Sequence, residues 1–138
     1  MLLSFAFVAS IAMPFVGSST ETYHAPQVEE QKMEVIEIPS GLDQDQYFFI
    51  REVFGTSTAK MLPIAKCESE YRQFKNGKVL RGVENKGDLG FWQIHEPVWG
   101  ESAAKLGYNI YTFEGNTRMA KVIYDLEGVR PWVCSRKK

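Results

Sequence analysis

The sequence predicts a mostly helical α+β fold with one small β-hairpin sheet, and three patterns lead to this prediction. Apolar side chains near the C-terminus recur at i, i+3, i+4 and i+7, which predicts an amphipathic helix with a core-facing stripe. Asn76-Gly77 lies between short apolar-polar runs, a pattern typical of a tight β-hairpin. Pro97 suits the first turn of a further helix, where no backbone N–H is needed. The stripe consists of Met119, Val122, Ile123 and Leu126.

Two helices are predicted before the hairpin. Tyr47–Phe54 predicts a short aromatic helix that ends at Gly55, a residue type common just after a helix C-terminus. A second helix is expected over Ala59–Glu70, capped by one of the hydroxyl residues at 56–58. Pro63 either lies in the first turn of this helix or bends it, because proline donates no backbone hydrogen bond.

Two further helices are predicted after the hairpin. A second turn over 84–88 precedes the run 89–94, which is apolar enough to be buried. The helix that begins at Pro97 is expected to end near Leu106-Gly107. The last helix is expected to run from Gly115-Asn116 to Glu127-Gly128.

The composition favours one folded domain with additional terminal segments. The chain has 138 residues, 44% hydrophobic and 24% charged, which argues against disorder throughout and against a coiled coil. The formal net charge of −1 argues against a dedicated nucleic-acid binder. Residues 1–16 are almost wholly apolar, so we expect residues 1–18 to be a secretory signal peptide or N-terminal hydrophobic segment, although no Lys or Arg precedes the run. A buried N-terminal helix and a short membrane anchor are the alternatives.

The charge is distributed unevenly along the chain. Residues 21–48 hold seven acidic residues and one basic residue, and we expect residues 19–44 to be an acidic flexible spacer. The other ten acidic and 15 basic residues all lie in 49–138, which gives that part a net charge of about +5. Residues 45–138 are predicted to be the folded domain, and its mildly basic charge suits an anionic polymer such as a cell wall.

Cys67 and Cys134 are the two cysteines of the chain. The export signal indicates an oxidising compartment, so we expect them to form a disulfide. Such a bridge closes a loop of about 68 residues and is worth on the order of 4 kcal/mol in the chain-entropy model. Two reduced, buried thiols are the alternative. Two cysteines and two distant histidines supply no four-ligand zinc site, and we expect neither a metal nor an organic cofactor.

Glu68 is the first candidate for chemistry. On a helix it shares a face with Met61, Ile64 and Ala65, close to the helix C-terminus. Desolvation and the negative end of the helix dipole both disfavour the carboxylate anion, which favours a protonated general acid. The alternative is a carboxyl that turns into water at the end of an ordinary surface helix.

Asp88 is the second candidate. It lies in a Gly-flanked turn, directly before the run that should be buried. Asp in such a turn most often serves the turn itself. A protected acid on Glu68 opposite a solvated carboxylate on Asp88 is, however, the two-carboxylate arrangement used for glycoside hydrolysis. We therefore take Glu68 and Asp88 as a candidate catalytic pair.

Three blocks together resemble the lysozyme-like lytic transglycosylases. Ile64–Ser69 is similar to the Glu-Ser motif of that family, and Asp88–Ile94 matches the pattern D-x-G-x-x-Q-I of lysozymes and soluble-lytic-transglycosylase-like domains. Gly115-Asn116 to Tyr124 resembles the third block, an Asn at a helix start followed by a Tyr. The cysteine placement is similar to that of resuscitation-promoting factors. The resemblance spans roughly residues 45–135. It departs from the family at Glu70, where a Gly is usual, and in the Asn-to-Tyr spacing of eight instead of seven.

The resemblance implies a lysozyme-like fold and a role for several residues. Glu68 would be the catalytic acid/base, and Ser69 would support the hydrogen bonds of the active site. Gln93 would line the cleft and bind the glycan, with Trp92 as the best stacking aromatic and Trp99 and Trp132 in the core or a lid. Tyr124 would lie near Glu68, and the helical row of Asn116, Ala120 and Tyr124 independently predicts a shallow sugar groove. The predicted substrate-binding residues are thus Ser69, Trp92, Gln93, Asn116 and Tyr124. His95 is expected to be a cap or a surface residue.

Three functions follow from these predictions. The first is a lytic transglycosylase that cleaves the β-1,4 bond between N-acetylmuramic acid and N-acetylglucosamine and leaves 1,6-anhydro ends. The second is a lysozyme-type hydrolase that uses Glu68 and Asp88. The third is a cell-wall-binding or signalling module with little turnover. In each case we expect a secreted or envelope-associated monomer whose partner is peptidoglycan, with no nucleic acid and with membrane contact only through the N-terminal segment.

Overall fold

The computed structural model describes Gly17 and residues 35–136. The predicted signal segment and most of the predicted spacer lie outside the described residues. The part of the chain that begins at Val35 forms a compact unit of its own. Within that unit Leu42 is buried and Ile38 packs against the core, so the folded part begins before the predicted boundary at residue 45. None of the helices in the described residues is both long and apolar enough to cross a membrane.

The described unit is a mostly helical α+β fold, which confirms the predicted fold class. It contains four α-helices, two antiparallel two-stranded sheets and two short 3₁₀ turns, at Gly55–Ser57 and Val133–Arg136. The helices are α1 (Gln44–Phe54), α2 (Thr58–Ser69), α3 (Glu96–Lys105) and α4 (Phe113–Glu127). The strands are β1 (Phe74–Lys75), β2 (Lys78–Val79), β3 (Asp88–Leu89) and β4 (Ile94–His95).

The ends of α1 and the position of Pro63 in α2 can be compared with the predictions from the local sequence. The Asp43 carboxylate accepts hydrogen bonds from the backbone N–H groups of Asp45 and Gln46, so α1 begins three residues before the predicted start. Pro63 lies inside α2 and beyond its first turn, where it leaves one backbone carbonyl of the helix without its usual donor. The prediction for the end of α1 is confirmed.

The predicted hairpin is present. Asn76 and Gly77 form its two-residue turn with φ values of +52° and +72°, and these left-handed conformations match the twist of a tight hairpin. In the resulting register Lys75 lies opposite Lys78. The prediction of a single sheet was wrong, because β3 and β4 form a second one. Each of these strands is only two residues long, which is too short for an alternating pattern to reveal it.

An aromatic cluster forms the centre of the core. Phe91 and Trp92 are fully buried, and their ring centroids lie 5.2 Å apart. Phe54 from α1 contacts Trp92 at 4.9 Å, and Phe113 from α4 contacts Phe91 at 5.1 Å. The loop between β3 and β4 is therefore embedded among the helices. Leu126, predicted as the end of the core stripe, is 68% exposed, because it lies in the last turn of α4 and no described element covers it.

Candidate active site

Glu68 is the second-last residue of α2, and its carboxyl is held by the C-terminal part of the chain. Its Oε1 atom accepts a 2.9 Å hydrogen bond from the backbone N–H of Cys134, and the residue is half-buried. Cys134 is also bonded to Cys67 with a Cα–Cα distance of 5.9 Å, which confirms the predicted disulfide. The bridge places Val133–Arg136 against α2, so the disulfide and the donor to Glu68 belong to one local structure.

Two cavities meet at Glu68. The larger has a volume of about 730 Å³ and lies between the end of α2 and the β1–β2 hairpin. The smaller has a volume of about 80 Å³ and is lined by Asp88, His95 and Trp132, among others. Glu68 and Gln93 line both cavities. A carboxyl that borders two recesses is suited to a ligand that extends to both sides of it.

Gln93 is held in position by the loop that carries it. Its backbone has a φ of +47°, which is uncommon for a residue other than glycine. Its side-chain Nε2 donates to the Gly90 carbonyl at 2.8 Å, and its Oε1 lies beside Gly82 at the larger cavity. One N–H of the amide is thus engaged within the loop, and the amide oxygen remains to accept a hydrogen bond from a hydroxyl of a ligand.

Asp88 shares the smaller cavity with Glu68 and forms a pair with His95. The two residues lie opposite each other in the β3–β4 register, and Asp88 Oδ1 is 2.8 Å from His95 Nδ1. The Asn85 Nδ2 atom lies 3.1 Å from the same ring nitrogen. The expectation that His95 is a cap is correct for its backbone, but its ring adds a contact to the candidate site. No local pattern pointed to this pair, because it depends on the register of two very short strands.

The Gly of the D-x-G-x-x-Q-I pattern has a packing role. Gly90 has a φ of +69°, and a Cβ atom there would lie 2.5 Å from the side-chain amide of Gln73. Gln73 is buried, accepts from the Phe91 N–H at 2.8 Å and donates to the Tyr111 carbonyl at 3.1 Å. Gln73 therefore fastens the β3–β4 loop, and nothing in its sequence context singled it out beforehand.

Three residues predicted to contact substrate instead build the support of this loop. Trp92 is fully buried, and its ring nitrogen donates to Thr117 at 3.0 Å. Asn116 is also fully buried, accepts from the Trp92 N–H at 2.9 Å and donates to the Leu89 carbonyl at 3.0 Å. Ser69 borders the larger cavity, but its hydroxyl is buried and donates to a backbone carbonyl of the loop. The structure thus places Trp92 and Asn116 in the core, not on the surface of the cleft.

Tyr124 does not reach the two cavities. It lies on α4 with its ring 6.1 Å from that of Phe54 on α1. Ile123 lines the smaller cavity in its place. One residue along a helix rotates a side chain by about 100°, so a spacing of eight from Asn116 turns Tyr124 away from Glu68. Trp132 and Trp99, predicted to be core or lid residues, both line the smaller cavity.

Comparison of the chain with models of known protein families, with curated protein sequences and with solved structures found no match. Glu68, the two cavities that it lines and the sequence motifs are therefore the features from which a function is inferred. Within the described residues, no three His, Cys, Asp or Glu side chains cluster in a way that would hold a metal ion.

Proposed function

We propose that this protein is a secreted lytic transglycosylase that cleaves the β-1,4 bond between N-acetylmuramic acid and N-acetylglucosamine in peptidoglycan. The observation that carries the proposal is the position of Glu68, a half-buried residue whose carboxyl is held by the Cys134 N–H and which lines two cavities. A glycan strand that occupies both cavities would cross the carboxyl at a glycosidic bond. The resemblance of the Glu68 and Asp88 blocks to this family supports the same reaction.

In this mechanism Glu68 acts twice. Its protonated carboxyl first donates a proton to the glycosidic oxygen while the bond from that oxygen to C1 of the muramic sugar breaks. The resulting carboxylate then removes the proton of the 6-hydroxyl on the same sugar, whose oxygen forms a bond to C1. The product is a 1,6-anhydro ring, the proton balance of Glu68 is restored, and no water is consumed. The Cys134 N–H holds Oε1, which leaves Oε2 for these proton transfers.

The disulfide supports the proposed location. Structural disulfides form and persist in oxidising compartments and are rare in the cytosol. The Cys67–Cys134 bridge therefore fits a protein that acts outside the cytoplasm or in the cell envelope. The expected partner is the peptidoglycan strand itself.

The deciding experiment is mass spectrometry of the soluble muropeptides that the full chain releases from isolated peptidoglycan. We expect 1,6-anhydro-muramyl products, and we expect Glu68→Gln to abolish them because the amide cannot exchange the proton. Glu52→Gln is the matched control, since Glu52 is an exposed acid on α1 that lines neither cavity. Anhydro products at the wild-type rate from Glu68→Gln would refute the assignment.

A lysozyme-type hydrolase is the second candidate, and the position of Asp88 in the smaller cavity with Glu68 favours it. Its products would carry a reducing muramic end and one additional water. In that case Asp88→Asn would abolish release, whereas a transglycosylase would only be slowed. A chain that sediments with insoluble wall and releases no soluble product would instead be a binding module.

A further inference from the structure

The larger cavity is lined by five basic and two acidic residues. Two of its lining basic residues are already paired with carboxylates: Arg72 with Glu70 at 3.3 Å, and Arg81 with Glu96 at 3.2 Å. Among the described residues, the other three make no ion pair. These three, which we call the groove lysines, are Lys75, Lys78 and Lys86.

The hairpin holds two of the groove lysines in an unfavourable arrangement. Lys75 and Lys78 lie directly opposite each other across β1 and β2, and both are exposed. Like charges at directly opposite positions destabilise a strand pair. The Asn76-Gly77 turn fixes this register, so the two ammonium groups cannot separate by a shift of the strands. A bound anion would relieve the repulsion, and this is a second indication, independent of the cavity, that the groove receives negative charge.

We propose that the groove lysines bind the carboxylates of the peptide stems of peptidoglycan. This inference rests on the proposed function, because it assigns a substituent of the same substrate. In peptidoglycan the acidic stem is attached through the lactyl group of muramic acid, the sugar whose C1 bond Glu68 would cleave. A strand bound across Glu68 therefore carries stem carboxylates within one sugar of the reacting bond. Phosphate-containing wall polymers also supply anions, but they are attached to few of the sugars, so they do not accompany every cleavage site.

The test measures binding of the full 138-residue chain carrying Glu68→Gln, so that the wall is not consumed. The main probe is peptidoglycan freed of phosphate polymers by hydrofluoric acid, either unmodified or with its stem carboxylates converted to amides. Wall that retains its phosphate polymers is measured beside it. The variant is Lys75→Gln with Lys78→Gln. The control is Lys60→Gln with Lys105→Gln, which changes the charge equally at exposed lysines that do not line the larger cavity.

We expect the hairpin variant to bind unmodified peptidoglycan about fivefold more weakly at low salt, the size of two exposed ion pairs, and the control to bind normally. The loss shrinks as salt screens the charges. Amidation of the stems weakens the binding of the chain that keeps Lys75 and Lys78 by a similar factor. The binding of the hairpin variant is the same on amidated and unmodified peptidoglycan. The thermal midpoint of the hairpin variant rises by about 2 °C, since the repulsion is removed, and this separates lost binding from lost folding.

Equal binding to unmodified and amidated peptidoglycan would overturn the inference. A loss seen only on wall that retains its phosphate polymers would assign the groove to phosphate and overturn it as well, and a lowered thermal midpoint would contradict the argument from repulsion. Cleavage is scored separately in chains that keep Glu68. If those chains release anhydro products and neither the lysines nor the stems affect binding, the proposed function stands and the inference fails. The expected binding pattern with no cleavage would leave the inference and remove the proposed function.

Discussion

Replacement of Asn116 by Ala tests whether this residue supports the fold or contacts the substrate. In the structure the Asn116 side chain makes three hydrogen bonds: one from the Trp92 N–H at 2.9 Å, and two to the carbonyls of Leu89 and Ile110 at 3.0 Å each. The residue has no exposed surface. Asn116→Ala therefore leaves buried backbone groups without these partners, and water cannot reach them without opening the core.

The expected loss of stability follows from these contacts. Each hydrogen bond is worth about 1 kcal/mol net, and an orphaned buried N–H costs about 1–3 kcal/mol. The Ile110 carbonyl keeps a weaker donor in Gln73 at 3.4 Å, so the total is smaller than three full penalties. We expect Asn116→Ala to lower the free energy of unfolding by about 3–5 kcal/mol, a large part of the roughly 5–15 kcal/mol typical of a small domain.

Urea denaturation of the full chain measures this loss, and Thr117→Val provides a graded comparison. Thr117→Val keeps the side-chain volume but removes a single bond, the one from the Trp92 ring nitrogen, so we expect a loss of about 1–2 kcal/mol. A loss below about 1 kcal/mol for Asn116→Ala would refute the supporting role. Unchanged stability together with lost cleavage would return Asn116 to the substrate-binding role that its motif implies.

Three further predictions concern stability. Replacement of Cys67 and Cys134 by Ala should lower the free energy of unfolding by on the order of 4 kcal/mol, measured by urea denaturation against the oxidised chain, and an unchanged midpoint would contradict the entropic argument. Glu70→Gly should raise the thermal midpoint, because Glu70 has a φ of +56°, which glycine adopts without strain. Relief of this strain, about 1 kcal/mol, exceeds the loss of one exposed ion pair with Arg72. A lower midpoint would show that the ion pair contributes more than the strain costs. A hydrogen bond from the Tyr111 hydroxyl, and to a smaller extent Arg81, lowers the pKa of Glu96 from its ordinary value of 4.5. These contacts to the Glu96 carboxylate therefore stabilise the fold above pH 4.5, and the stabilisation is lost as the pH falls through the lower pKa of the folded state. Thermal midpoints from about pH 6 to pH 3 should therefore fall more steeply for the wild type than for Glu96→Gln, and parallel curves would refute this.

Local signals were sufficient to predict the helices and the hairpin, whereas the disulfide was predicted from the expected compartment. The Asn76-Gly77 turn needs only two residues to adopt left-handed conformations, and the core face of α4 follows from helical spacing. The β3–β4 sheet and the pair of Asp88 with His95 depend instead on which strands meet, and no short window of sequence contains that information.

The residues of the matched motifs lie in two different environments in the structure. Glu68 and Gln93 line the two cavities described above. Trp92 and Asn116 belong to the same matched blocks, yet both are buried in the core. A motif indicates that a residue type is required at a position. The residue can be required because it supports a loop or because it contacts a ligand. Only burial and hydrogen-bond partners separate the two cases.

The Cys67–Cys134 bridge also determines when, during synthesis and folding, the Glu68 carboxyl reaches its final position. The two cysteines are 67 residues apart in the sequence. The ribosome must therefore have made the chain as far as Cys134 before the bridge can close. Because the backbone of Cys134 holds the carboxyl of Glu68, that carboxyl gains its final support only then. A nascent or reduced chain thus holds this carboxyl less firmly, and its support is completed only where thiols are oxidised.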